Sequence, residues 1–178
     1  MTTSNTAATP ANEDMPAPVY KLMETNAEAV EAQELVVNAA QRELRIFDVN
    51  ARTLSDRGFG SPARIEMLRT LLLAARGHRM RIALHDVTAI ENQLPRLLDL
   101  LTRFSGQIQI HRTLGQAAEA RDPMIIADDE HFWRKLHIDQ PRSVLTLHNS
   151  ADTRPFLERF EEIWEKSELA VSGSTLGL

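Results

Sequence analysis

The sequence predicts an α/β domain built on a mixed, mainly parallel sheet flanked by helices. Two observations carry that prediction. Short strand-like runs recur at Arg42–Asp48 (RELRIFD), Met80–Asp86 (MRIALHD) and Gln107–Arg112 (QIQIHR), and each ends in charged or imidazole residues. Amphipathic helical patterns precede or separate the runs, and strands alternating with helices of this length imply parallel pairing through right-handed crossovers. The length of 178 residues and the apolar content of 43% suit one domain with a real core.

The elements follow in order. Met1 to about Leu22 is rich in Thr, Ala, Asn and Pro and lacks apolar periodicity, so residues 1–23 are expected to form a disordered acidic leader. Thr25-x-x-Glu28 is a capping-box pattern that opens a helix running to about Gln41, with Ala29, Ala32, Val36 and Ala40 on one face. Glu43 to Val49 is the first strand, and Asn50 to Gly60 reads as a loop over the strand ends. Ser61-Pro62 starts a second helix with the stripe Ile65, Leu68, Leu72 and Ala75, closed by Gly77. Met80 to Leu84 is the second strand. A third helix spans about Ile90 to Ser105 along Leu94, Leu97, Leu98, Leu101 and Phe104, with Pro95 near its first turn. The third strand covers Gln107 to Thr113, and the polar stretch Gly115 to Asp122 is a loop or short turn. Met124–Ala127 and Phe132–Leu136 read as a hairpin around a four-residue turn. Ser143–Leu147 is a further strand, and Asn149 or Ser150 caps a last helix reaching about Ser167. The domain is expected over residues 24–168, followed by a flexible tail at 169–178.

Charge and composition limit function. Residues 1–40 hold six acids and one base, a charge of −5, while residues 41–178 hold nineteen of each. The folded part is electrically balanced, which disfavours a nucleic-acid binder. With no cysteine, disulfides, thiolate nucleophiles and Cys-based zinc sites are excluded. The longest apolar stretch, Leu71–Ala75, cannot span a bilayer, and no secretory signal pattern opens the chain. The expected setting is the cytoplasm, with no membrane association.

In sheets of this kind ligands gather outside the carboxyl ends of the parallel strands. Those ends carry Asp48, His85, Asp86, His111 and Arg112, residue types suited to acid–base work or to holding a phosphate oxygen. Neighbours such as His85 and Asp86 point to opposite sheet faces, so at most one of each pair serves one pocket; ordinary polar strand termini explain the same residues. Asp128-Asp129-Glu130-His131, with His137 beyond, offers carboxylates and imidazoles but is equally a solvated turn. Trp133-Arg134-Lys135 pairs one aromatic with two bases, a weak signal for stacking and phosphate contact. The strands also alternate: Ile82 and Leu84 oppose Arg81, Ala83 and His85, leaving one sheet face half apolar, to be covered by the small-residue first helix or by a partner subunit.

The order of elements resembles a single phospholipase-D-like domain. The runs Arg42–Phe47, Met80–Asp86, Ile108–Arg112, Met124–Asp129 and Asn149–Ser167, notably Phe160-Glu161-Glu162-Ile163-Trp164-Glu165-Lys166-Ser167, are similar to a proteobacterial family of that shape sometimes fused behind GNAT-type acetyltransferases. The likeness covers roughly residues 35–168. Active phospholipase-D-like enzymes carry H-x-K-x-x-x-x-D, in which the His attacks phosphorus and the Lys steadies the oxyanion. Aligning the motif's Asp on Asp128 puts Arg121 at the His and Pro123 at the Lys, and the G-S-x-N continuation is absent. The resemblance therefore implies a degenerate, non-catalytic module, with no cofactor, binding a ligand or a protein partner and admitting a homodimer. The candidate binding residues are Asp48, His85, Asp86, His111, Arg112, Arg121 and Asp128. The alternative is a phosphodiesterase or other phosphate-ester hydrolase using His85, His111 and Arg112, with or without a metal.

Overall fold

A computed structural model describes residues 16–173. Strand β1 (Val19–Met23) leads into helix α1 (Asn26–Ala39), β2 (Glu43–Asn50), the short α2 (Ala51–Leu54) and a π turn at Ser55–Phe59. Then come α3 (Pro62–Ala74), β3 (Arg79–Asp86), α4 (Ile90–Gln93), α5 (Pro95–Arg103), β4 (Ile108–Thr113) and a 3-10 turn at Gly115–Glu119. The chain closes with β5 (Met124–Ala127), β6 (His131–Lys135), β7 (Ser143–Leu147), α6 (Ser150–Glu165) and β8 (Ser167–Val171).

Local chemistry sets the helix ends. The Thr25 hydroxyl accepts the Glu28 N–H at 3.2 Å while Glu28 accepts the Thr25 N–H, so the capping box is present. Ser61 caps α3 with Pro62 at the first helical position, and Asn149 caps α6 through the Asp152 N–H at 3.0 Å. The expected third helix is split at Leu94, whose backbone leaves the helical region because Pro95 follows. The expected loop at 50–60 is instead a capped turn of helix and a π turn, with Gly58 supplying a φ of 84°.

All strands form one sheet in the order β1-β7-β6-β5-β2-β3-β4-β8. The expectation of a mainly parallel sheet is corrected here. Only β2/β3 and β3/β4 run parallel, and the other five junctions are antiparallel. Connection length explains this: α3 and α5 supply crossovers between β2, β3 and β4, whereas β5, β6 and β7 follow one another through short loops that permit only antiparallel neighbours. Two strands were not expected at all. Residues 19–23 pair with β7 at one edge, and residues 167–171 with β4 at the other.

The pleat sorts residues onto two faces. On the first, Leu44, Ile46, Ile82, Leu84, Ile110 and Trp133 pack under α1, α3 and α5. On the second, Phe47, Ala83, Met124, Ile126 and Phe132 meet Phe160 and Ile163 of α6. Each such fully buried large side chain contributes on the order of 2 kcal/mol. The half-polar face is this second one, and it is covered by α6 rather than by α1. Its polar residues pair with the helix. Arg81 forks onto Glu161 at 2.7 and 2.6 Å and donates Nε to Glu43 at 2.7 Å, and Arg45 and Arg79 also reach Glu43. Among the described residues no helix is long and apolar enough to cross a membrane.

Candidate functional site

The carboxyl ends of β2, β3 and β4 lie side by side, with Asn50 opposite Asp86 and Leu84 opposite Arg112. Side-chain parity then divides the predicted cluster. Asp48 turns to the first face and is wholly buried. It accepts Arg57 Nε at 2.6 Å, the Thr53 hydroxyl at 2.9 Å and the Val49 N–H at 2.8 Å. Asp86 is exposed and accepts both the hydroxyl and the N–H of Thr88, which hold its carboxyl below the usual carboxylate range. Arg112, also exposed, pairs with Glu168 of β8 at 2.5 Å.

The two histidines turn to the second face, where each contacts neighbouring elements of the fold. His85 meets the Thr113 hydroxyl through Nδ1 at 2.6 Å and the Ala120 carbonyl through Nε2 at 2.8 Å, so both ring nitrogens are engaged. The partners fix the tautomer: Nε2 carries the proton and donates to the carbonyl, while Nδ1 accepts from the hydroxyl. His111 stacks on Trp164 at 3.7 Å and reaches the Ser167 hydroxyl at 3.0 Å. Burial, and then the charge of Arg81, push its pKa down.

Asp128 sits at the opposite end of the sheet, after β5 and beside the start of β2. Its carboxylate accepts three backbone N–H groups, from Gln41, Arg42 and Glu43, at 2.8–2.9 Å, while its own φ is 53°. It is a clamp between the hairpin turn and the α1–β2 connection. Arg121 is exposed, and its carbonyl accepts the Ile138 N–H at 2.9 Å.

The carboxylate and imidazole groups of Glu130, His131 and His148 lie within 4.8 Å of one another. His131, however, accepts the His148 backbone N–H on Nδ1 at 3.1 Å. Its proton is thereby placed on Nε2, toward Glu130, and that nitrogen has no lone pair for a cation. His137, grouped with this segment by sequence, lies beyond the far end of β6 beside Asp139.

A cleft of about 300 Å³ opens between α1, the turn at 55–59 and β6. Sequence reading named none of Gln33, Thr53, Asp56 or Arg57, which line it with Trp133 and Lys135; the only trace was the segment Trp133-Arg134-Lys135. The pleat puts Trp133 and Lys135 on the cleft side, whereas Arg134 turns away toward Asp122 and Phe156. Arg57 lies over the Trp133 ring at 4.8 Å and is held there by Asp48. Lys135 donates to the Ile138 carbonyl at 2.9 Å, and burial together with the charge of Arg57 lowers its pKa.

Residues 25–172 match the model of a domain of unknown function, DUF7931. The chain belongs to the DUF7931 family. Comparison with curated proteins gives no match. Among solved structures, this DUF7931 domain is similar to Nuc, a phospholipase D family member from Salmonella typhimurium, with TM-score 0.59 and 13% identity over 88% of this chain and 100% of Nuc. It is similar to NucT from Helicobacter pylori, with TM-score 0.52 and 10% identity over 86% and 100% of the two chains. TrmBL2, an archaeal chromatin protein described as showing a novel mode of DNA binding, matches with TM-score 0.58 and 19% identity over 90% of this chain but 57% of its own. The domain thus spans a little over half of TrmBL2. At these identities the likeness shows the fold, and the fold is phospholipase-D-like.

Proposed function

We propose that this DUF7931 domain is a non-catalytic phospholipase-D-like module that binds a ligand or a protein partner. One observation carries the reading: with Asp128 in the register of H-x-K-x-x-x-x-D, the nucleophile and oxyanion positions fall on Arg121 and Pro123. A guanidinium is not a nucleophile at neutral pH, and proline brings no charge. The other imidazoles at the strand ends support the same reading, because His85 has both nitrogens engaged and His111 is stacked beneath α6. A hydrolase built on His85, His111 and Arg112 would need these groups to converge, whereas Arg112 turns to an exposed edge pair. Nucleic acid is not the proposed ligand, since residues 41–178 carry nineteen acids against nineteen bases.

The test is hydrolysis of a chromogenic phosphodiester by the purified chain, with and without Mg²⁺, Mn²⁺ or Zn²⁺. The expected result is no release of chromophore above buffer. Turnover that disappears in His111→Ala would replace this reading with the hydrolase.

A further inference from the structure

Two of the residues that line the cleft beside β6 carry an unpaired buried polar atom, one a donor and one an acceptor. Trp133 Nε1 and Gln33 Oε1 are both buried, with their residues 1% and 3% exposed, and neither has a hydrogen-bond partner among the described residues. A buried polar group without a partner is costly, and two of them lining one opening point to something that fills it. Two cations stand at the same opening. Arg57 uses Nε and Nη2 on Asp48, and no hydrogen bond from its third nitrogen to the described residues is present. Lys135 uses one of its three N–H groups on Ile138.

We propose that this cleft is a binding site for a small molecule carrying one oxyanion, a phosphate or a carboxylate, together with a hydroxyl or amine donor. Lys135, Arg57 and the Trp133 indole N–H receive the oxyanion, and Gln33 Oε1 receives the donor. Donor count sets the preference for an anion: Arg57 and Lys135 are matched in number by Asp48 and the exposed Asp56, but both cations keep N–H groups that only an acceptor can meet. Size sets the class, because about 300 Å³ lies at the small end of ligand pockets and suits a metabolite rather than a polymer. Ala29, Val30 and Pro141 give the carbon skeleton an apolar wall. Asp48 pre-orients Arg57, and the lowered pKa of Lys135 is consistent with a partly desolvated cation that an anion would restore.

The assignment rests on the binding-module reading above. Phosphodiester turnover would overturn that reading, whereas the experiment here judges only the cleft. The chain has two tryptophans, so its two indole N–H cross-peaks are assigned by the one that remains in Trp164→Phe. The ¹⁵N-labelled protein is titrated with glycerol 3-phosphate, with glycerate and with glycerol. We expect one of the two acids to shift the Trp133 cross-peak saturably, which also tells phosphate from carboxylate, and glycerol to leave it in place. Lys135→Gln and Gln33→Leu should each weaken the effective acid about tenfold or more. Gln33→Leu should also hold or raise the melting temperature, since it removes an unpaired buried acceptor. A Trp133 cross-peak unmoved by both acids up to about 10 mM, or an affinity in either variant unchanged from that of the native chain, would overturn the proposal.

Discussion

One carboxylate holds the base of the sheet together. Asp128 collects three backbone N–H groups at a left-handed turn, a job that needs both of its oxygens and its tolerance of positive φ. Asp128→Ala should cost about 3 kcal/mol in urea denaturation, and Asp128→Asn, which keeps one acceptor and the turn geometry, about half of that. An unchanged midpoint for the alanine variant would refute the clamp. Histidine titration gives a second residue-scale prediction. Burial pushes the pKa values of His131 and His111 below their ordinary value in the folded state. Above the unfolded pKa of about 6.5 both states are neutral and no stability is at stake. As pH falls through that value, the unfolded chain takes up protons that the folded chain refuses, so stability drops toward acid. His131→Gln should flatten the slope of unfolding free energy against pH between about 6.5 and 5. A slope unchanged by this substitution would place the proton uptake elsewhere.

At the scale of elements, α6 is fastened to the second face by aromatic packing and by the Arg81–Glu161 fork. Arg81 is mostly buried but Glu161 is partly open to solvent, so screening reduces the pair's worth. A double-mutant cycle with Arg81→Met and Glu161→Gln should give a coupling of about 1 kcal/mol, and additivity would mean that the fork is idle. β1 makes a sharper case. Met23 is wholly buried, so Met23→Ala should cost about 2–4 kcal/mol by thermal or chemical unfolding, a loss that a disordered leader would not show. The strand was hidden in the sequence because Val19, Tyr20 and Leu22 are exposed on a sheet edge and follow a polar, proline-containing stretch. β8 was hidden for the same reason, with Glu168 and Leu169 both open. By contrast β2, β3 and β4 were legible from alternating Ile and Leu, and the β5–β6 hairpin from its turn. What spacing could not give was the order of strands across the sheet, which is why the mainly parallel expectation failed.

At the scale of the whole molecule, the half-polar sheet face was legible as a pattern but not as a packing problem. His85, Arg81 and His111 look available in a string of letters. In the fold they lie under α6 and the turn at 115–119: His85 has both ring nitrogens bonded, Arg81 is forked onto Glu161, and His111 is stacked on Trp164. The cleft was illegible for the opposite reason. Gln33, Arg57, Trp133 and Lys135 come from a helix, a turn and a strand, and no local spacing joins them. Asp48 links the two pictures, because it was named as a strand-end carboxylate and serves to aim Arg57. A phospholipase-D-like module that binds without cleaving, as proposed, leaves a phosphodiester intact. The most direct measurement is a ³¹P NMR time course of a phosphodiester incubated with the purified chain and divalent metal ions. The expected diester resonance keeps its full intensity throughout. A growing monoester resonance, present with the native chain and absent with His111→Ala, would contradict it.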